Sequence, residues 1–327
     1  MGTRGSPLAL AQARQFARQL EAAHENLVVE ERIIRTTGDK NQTASLPAIG
    51  GKGVFTLEIE AALLDGSIDF AVHSLKDLPP DLPAGLTLGC IPKRESARDM
   101  FVVRDDYELV ANANKLSQTN NKMMMFPFLK RCARVGTSSL RRRAALLSKR
   151  SDLQIEDIRG NIDTRIRKMH EQEFDAIVLA EAGLRRLGWK DAFRLEIAEI
   201  TCTLHPVFDS VPAPGQGALA VECRDNDNRV LDLLRALENE ATRIETAVER
   251  AIVRALNAGC STPLGVHAHF QDDGQLLVVS RVLSPDGKLS IDEDRTFRHF
   301  NDPEKTGLIV AQELLKKGAQ KLLNTNH

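Results

Sequence analysis

Aromatic residues make up only 4% of the chain, with a single Trp and a single Tyr. So few rings leave little to stack bases on, which argues against binding of single-stranded nucleic acid. Neither sign of charge is in surplus. The 44 Lys and Arg stand against 45 Asp and Glu, a net of −1, so no general attraction to polyanions or to anionic membranes is expected. Five cysteines (Cys90, Cys132, Cys202, Cys223, Cys260) contain no C-x-x-C pair and leave an odd count. A disulfide framework or zinc site is therefore not expected, no metal is called for, and a reducing compartment is the default. No apolar run approaches membrane-spanning length, and no secretory h-region opens the chain. A soluble cytoplasmic protein is expected, and a processed organellar form fits the same pattern.

Nucleotide fingerprints are also missing. In Gly50-Gly51-Lys52-Gly53 the residue after the lysine is glycine and position 46 is Leu, where a phosphate loop needs Ser or Thr and a first glycine. The G-x-G-x-x-A pattern of Gly215 to Ala220 leads into a strand at Ala218–Cys223 rather than following one, so it is no dinucleotide site. A mobile Gly-rich flap carrying Lys52 remains.

What is present is a globular chain of 327 residues, 42% hydrophobic and 27% charged, long enough for two or three domains. Ser6 suits the N-cap and Pro7 the first turn of a helix over 7–24, whose positive end makes Arg4 and Ser6 an anion site. A strand is expected over 27–35, a helix over 54–65 and strands over 69–74 and 86–91. A polar insertion over 105–121 follows the strand Met100–Val103. Strand–helix units then resume from Arg134 to Arg186. A helix over 240–258 is expected to stop at Gly259, with Cys260 on the loop behind it. Strands over 265–270, 275–284 and 289–298 and a helix over 303–323 complete a small α+β unit.

Two features carry chemistry. The strand ending at Val72 runs into His73-Ser74-Leu75-Lys76-Asp77-Leu78-Pro79-Pro80, where two prolines stop the backbone and hold a Lys–Asp pair at a strand end, the usual ligand position in α/β sheets. A carboxylate there can donate a proton or shield a developing positive charge. His73 reads as a packed strand-end residue. Second, Arg141, Arg142 and Arg159 lie near helix starts, where a cation is unfavourable unless an anion sits against it. Repetition in successive units suggests a face that binds carboxylate or phosphate. Arg143, Arg167 and Arg185 read as solvated helix charges. Cys260, on a loop tip, can act as a nucleophile or attachment point.

In order and spacing, Gly2-Thr3-Arg4-Gly5-Ser6-Pro7-Leu8-Ala9, Gly50-Gly51-Lys52-Gly53, His73 to Pro79, Gly136-Thr137-Ser138-Ser139-Leu140-Arg141-Arg142, Arg159-Gly160-Asn161 with Thr164-Arg165, Gly215-Gln216-Gly217-Ala218 and Gly259-Cys260 resemble the porphobilinogen deaminase (hydroxymethylbilane synthase) family over nearly the whole chain. The resemblance implies two α/β domains like periplasmic binding proteins with a cleft between them, plus a C-terminal α+β domain carrying the cofactor cysteine. The bounds would be 1–95 with 216–236, 96–215 and 237–327. It further implies a monomer that joins four porphobilinogen molecules head to tail with loss of ammonia, working on a dipyrromethane cofactor held by a Cys260 thioether. Asp77 and Lys76 would be catalytic. Arg4, Ser6, Gln12, Lys52, Ser74, Ser139, Arg141, Arg142, Arg159, Arg165 and Arg186 would contact cofactor or substrate. No nucleic-acid or membrane partner is implied.

Departures from the pattern are visible. The chain opens at Met1-Gly2, with little of the family's first strand, Lys40-Asn41-Gln42-Thr43 follows Gly38-Asp39, and Ala48 stands where a lysine is common. They motivate an alternative, a non-catalytic carboxylate-binding protein with the same two-domain cleft.

Overall fold

The computed structural model describes residues 1–40, 56–104, 126–189, 194–197, 200–259, 262–298 and 302–324. Lys52 and Cys260, the Gly-rich flap and the expected insertion at 105–121 lie outside the described residues.

The first sheet has the order β2 (Arg32–Ile33), β1 (Gly2–Thr3), β3 (Phe70–Ser74), β11 (Leu219–Arg224), β4 (Leu86–Cys90). β1 runs parallel to both neighbours, whereas β11 is antiparallel to β3 and β4. Helix α1 (Pro7–Ala23) starts where the sequence indicates: Ser6 Oγ accepts from the Ala9 amide and Pro7 needs no partner for its nitrogen. Its apolar stripe, Ala13, Phe16 and Leu20, packs on Phe70, Val72 and Val221 of the sheet. Short α2 (Thr37–Lys40) and α3 (Leu57–Leu64) follow β2, and Ile59 and Leu63 of α3 pack on Ala71. The strand expected over 27–35 is only two residues long, because β1 offers it only Gly2 and Thr3 as ladder partners.

Residues 91–98 cross from β4 to the second sheet, ordered β7 (Gln154–Glu156), β6 (Arg134–Gly136), β8 (Ala176–Ala180), β5 (Asp99–Arg104), β10 (Ile200–Pro206), β9 (Arg194–Ile197). Helices α4 (Leu140–Lys149), α5 (Ile162–Glu171) and α6 (Glu181–Arg186) connect its strands. Phe101, Val103 and Val135 are buried on one side of the sheet, with Met100, Val102 and Ile177 on the other. Such two-sided burial is what a covered parallel-type sheet requires. The chain returns through 207–218 to β11, then α7 (Asn228–Leu234).

The C-terminal unit is an antiparallel sheet, β12 (Leu264–Phe270), β13 (Leu276–Leu283), β14 (Ser290–Phe297), with α8 (Glu240–Ala255), α9 (Pro303–Lys316) and α10 (Ala319–Asn324). Val248 and Ile252 of α8 pack with Val266, Val278 and Val310. Two expectations need correction here. The helix expected over 303–323 is broken at Gly318 (φ +96°), a conformation glycine adopts freely. Helix α8 stops at Asn257 rather than Gly259: Asn257 has φ +47°, its amide donates to Arg254 O and the Ala258 amide to Val253 O. That is a Schellman closure with Asn in the left-handed position.

Among the described residues no helix is long and apolar enough to cross a membrane.

Candidate active site

Strand β3 delivers the site. Its last residues, His73 and Ser74, are followed by one turn of 3-10 helix, Leu75–Asp77, after which Leu78 is extended again. Leu75 is buried and its amide donates to Ala218 O, so the turn is anchored on one side while Asp77 stays exposed and Lys76 partly so. Arg4, Ser6, Gln12, His73, Ser74 and Asp77 line one small pocket of about 70 Å³. Gln12 Nε2 donates to Ser74 Oγ at 3.0 Å, which ties α1 to the strand end. Five of the residues named from the sequence thus share one wall; His73, taken as packing, joins them.

The opposite wall comes from the helix starts of the second sheet. Ser139 caps α4 by accepting from the Arg142 amide. Arg165 Nε donates to Gly160 O at 2.7 Å, which fixes its head group beside the α5 start. The charges of the two walls act on one another. Burial lowers the Lys76 pKa to about 8; Asp77 and Asp99 oppose that fall, whereas Arg142 and Arg141 deepen it. Burial likewise lowers Arg165 to about 10, with Arg142 and Arg159 adding to the shift and Asp77 opposing it. Arg186 is lowered to about 10 by burial, and its guanidinium donates to Gly217 O at 2.6 Å. Arg143 and Arg167 are exposed, and Arg185 pairs with Glu181 at 2.6 Å.

Asp99 escaped the sequence reading. It is buried at the start of β5, where its Oδ1 accepts from Arg142 Nε (3.0 Å) and Gln216 Nε2 (2.9 Å), and its Oδ2 lies 2.8 Å from Arg141 Nη1. Burial alone would raise its pKa, but the charges of Arg141 and Arg142 outweigh that and hold it well below the carboxylate range. The anion that helix-start cations require is therefore partly supplied by the chain itself. Arg142 is fully engaged, donating also to Val178 O at 2.9 Å. Arg141 is not: it donates to Val211 O at 2.8 Å, yet its buried Nε has no hydrogen-bond partner among the described residues. The sequence signal was an acid directly before the apolar run Met100–Val103, weak without knowledge of which helix faces it.

Two further groups were missed. Buried Glu249 of α8 pairs with Arg94 at 2.7 Å and accepts from the amides of Gly215 (2.6 Å) and Ala268 (2.9 Å), joining both crossovers to β12. Glu222 lies in the sheet with Nε2 of His73 3.2 Å away. Glu60 nearby has a raised pKa, from burial first and the charge of Glu222 second, against a hydrogen bond from Thr56.

A cluster of cations whose pKa values are lowered, by burial first and for Lys76 and Arg165 by one another's charge second, fits a ligand bearing several carboxylates; the buried Arg141 Nε, without a hydrogen-bond partner among the described residues, fits it too. A dipyrromethane with acetate and propionate groups is such a ligand. Gly259 and Thr262, flanking Cys260, are joined by the Gly259 amide to Thr262 Oγ1 and by Thr262 Oγ1 to Gly259 O.

Comparison with known proteins agrees. The family described as "Porphobilinogen deaminase, dipyromethane cofactor binding domain" matches residues 1–232, and "Porphobilinogen deaminase, C-terminal domain" matches 243–316. Porphobilinogen deaminase of Staphylococcus carnosus is 40% identical over 324 residues, 99% of this chain and 96% of the relative. That of Syntrophotalea carbinolica is 43% identical over 323 residues, covering 99% and 94%. Among solved structures, an ancestral cationic amino acid solute-binding protein aligns with 68% of this chain and 77% of its own at 14% identity and a TM-score of 0.36, too low to bear on the fold, which rests on the topology above. The non-catalytic reading is not favoured. With both family regions matched along the chain and the cationic cleft opposite Asp77, the protein belongs to the porphobilinogen deaminase family.

Proposed function

We propose a division of labour within the family's reaction, the head-to-tail joining of four porphobilinogen molecules into hydroxymethylbilane with release of ammonia. Asp77 is the acid–base group, and Lys76 sets its charge environment. Arg4, Ser6, Gln12, Lys52, Ser74, Ser139, Arg141, Arg142, Arg159, Arg165 and Arg186 hold carboxylates of substrate and growing chain. Cys260 is the attachment point of the dipyrromethane cofactor, which when bound supplies the nucleophilic pyrrole carbon on which the chain grows. The domains run 1–95 with 216–236, 96–215 and 237–327.

The chemistry asks two things of one carboxylate. The substrate's aminomethyl group leaves as ammonia from its protonated form, breaking a C–N bond and leaving a methylene–pyrrole cation. Asp77 accepts hydrogen bonds from the departing ammonium and then stabilises that cation, the kind of contribution that is often largest in catalysis. Once the new C–C bond has formed, the displaced ring proton passes to Asp77 and onward to ammonia, which restores the carboxylate. The observation that carries this reading is the cationic wall opposite Asp77, where Arg165 is held at about 10. A charge-assisted contact contributes roughly 1.5–3 kcal/mol, and many such contacts at full strength would trap the product. Arg142, already committed to Asp99, offers less than its full charge, which favours release.

We further propose a cytoplasmic monomer with no nucleic-acid or membrane partner, consistent with the balanced charge; sedimentation of the purified chain checks the monomer. The test of function is intact mass with turnover. The wild-type chain should carry two pyrrole units lost in Cys260→Ser, and Asp77→Asn should keep the adduct but lose nearly all porphobilinogen consumption. A bare thiol, or normal consumption by Asp77→Asn, refutes the assignment.

A further inference from the structure

Arg250 of α8 is partly buried, yet its side chain bonds no carboxylate among the contacts of the described residues. Its Nη2 donates to the carbonyl oxygens of Pro79 (2.9 Å) and Pro80 (2.7 Å). Burial lowers its pKa to about 10, Arg254 adding to the shift and Asp81 and Glu222 opposing it. Desolvating a cation to reach two neutral acceptors is costly unless their position matters. Those acceptors matter for a local reason. A proline cannot donate from its nitrogen, so the backbone just after the Lys76–Asp77 turn is poor in ladder bonds and needs an outside partner. Arg254, one helical turn on, strengthens the same grip, reaching Asp81 Oδ1 at 2.8 Å and Pro80 O at 3.2 Å. Both arginines stand on the face of α8 opposite its apolar stripe, and in sequence the helix leads on to Cys260.

We propose that Arg250 is a positioning residue for the polymerisation: it clamps the Pro79–Pro80 backbone so that the C-terminal domain fixes the Asp77 carboxylate relative to the growing chain. The inference rests on the reading of Asp77 as the acid–base group. A reacting group displaced by about 1 Å loses on the order of 10²-fold in rate. The predicted signature is therefore in turnover, not in substrate affinity.

The experiment compares Arg250→Met, Arg250→Lys and, as a control for a buried arginine that holds structure away from the site, Arg150→Met. Arg150 is 5% exposed, pairs with Asp152 at 2.6 Å and donates to the Phe126, Leu129 and Lys130 carbonyls, none of them in the Lys76–Pro80 turn. Each protein is checked for the cofactor adduct by intact mass, then assayed with porphobilinogen and melted. Arg250→Met should keep the adduct and a KM within about twofold while kcat falls roughly 10- to 100-fold. Lysine, able to reach one carbonyl, should recover much of that loss. Arg150→Met should lower Tm and leave kcat of the folded enzyme intact. The proposal is overturned if Arg250→Met behaves like Arg150→Met, if its defect lies in KM or in adduct loss, or if lysine does no better than methionine. Normal turnover by Asp77→Asn would instead sink the underlying reading of Asp77, so the two failures are told apart by different variants.

Discussion

Neutralising Glu249 should loosen the junction of all three units, by an amount that depends on pH in a defined direction. Its carboxylate is fully buried between Arg94, the Gly215 amide and the Ala268 amide. Burial alone would raise its pKa, but Arg94 above all, with His267, brings it down from 4.5 to about 2. That displacement corresponds to about 3 kcal/mol of stability at neutral pH. Because the folded-state pKa is depressed, this stabilisation is complete above pH 4.5 and is lost as pH falls toward 2. Glu249→Gln keeps the shape but turns one acceptor into an NH2 facing N–H donors and leaves Arg94 without its anion, a loss of roughly 3–5 kcal/mol. Urea denaturation of wild type and variant at several pH values between 7 and 3.5 measures the gap. The gap should be constant from pH 7 to about 5 and shrink below 4.5 at about 1.4 kcal/mol per pH unit. A gap under about 1 kcal/mol at pH 7, or one that grows on acidification, would refute this assignment of charge and burial.

Two other substitutions test the same framework. Asp99→Asn removes the anion between Arg141 and Arg142 and should destabilise by roughly 3–5 kcal/mol. Since Asp99 also supports the Lys76 proton, whose pKa burial lowers to about 8, an alkaline limb of the pH–rate profile governed by Lys76 should move to lower pH in this variant; an unmoved limb would show that Lys76 does not govern it. Gly217→Ala places a Cβ 2.3 Å from Glu95 O at φ +89°, where the two crossovers meet. A loss of at least about 2 kcal/mol in thermal denaturation is expected, and a melting temperature equal to wild type would contradict the close approach.

Much of this molecule was legible in its residues. Ser6 with Pro7, and Ser139 before Leu140, announce helix starts because a cap is a local contact between neighbours in sequence. Val72 to Pro80 reads as a strand brought to a stop because proline forbids both helix and ladder. The motif order gave the family resemblance, and with it the candidate site residues. Other features were beyond it. The residue pattern places the stop at Gly259, whereas the left-handed residue is Asn257 two positions earlier, and β2 pairs only Arg32 and Ile33 with β1. That Asp99 meets Arg141 and Arg142, that Glu249 meets Arg94, and that Arg250 reaches the Pro79 and Pro80 carbonyls could not be read along the chain. Caps and turns are settled by residues a few positions apart. A buried charge takes whichever partner sheet order and helix packing bring within 3 Å, and only the folded chain decides that.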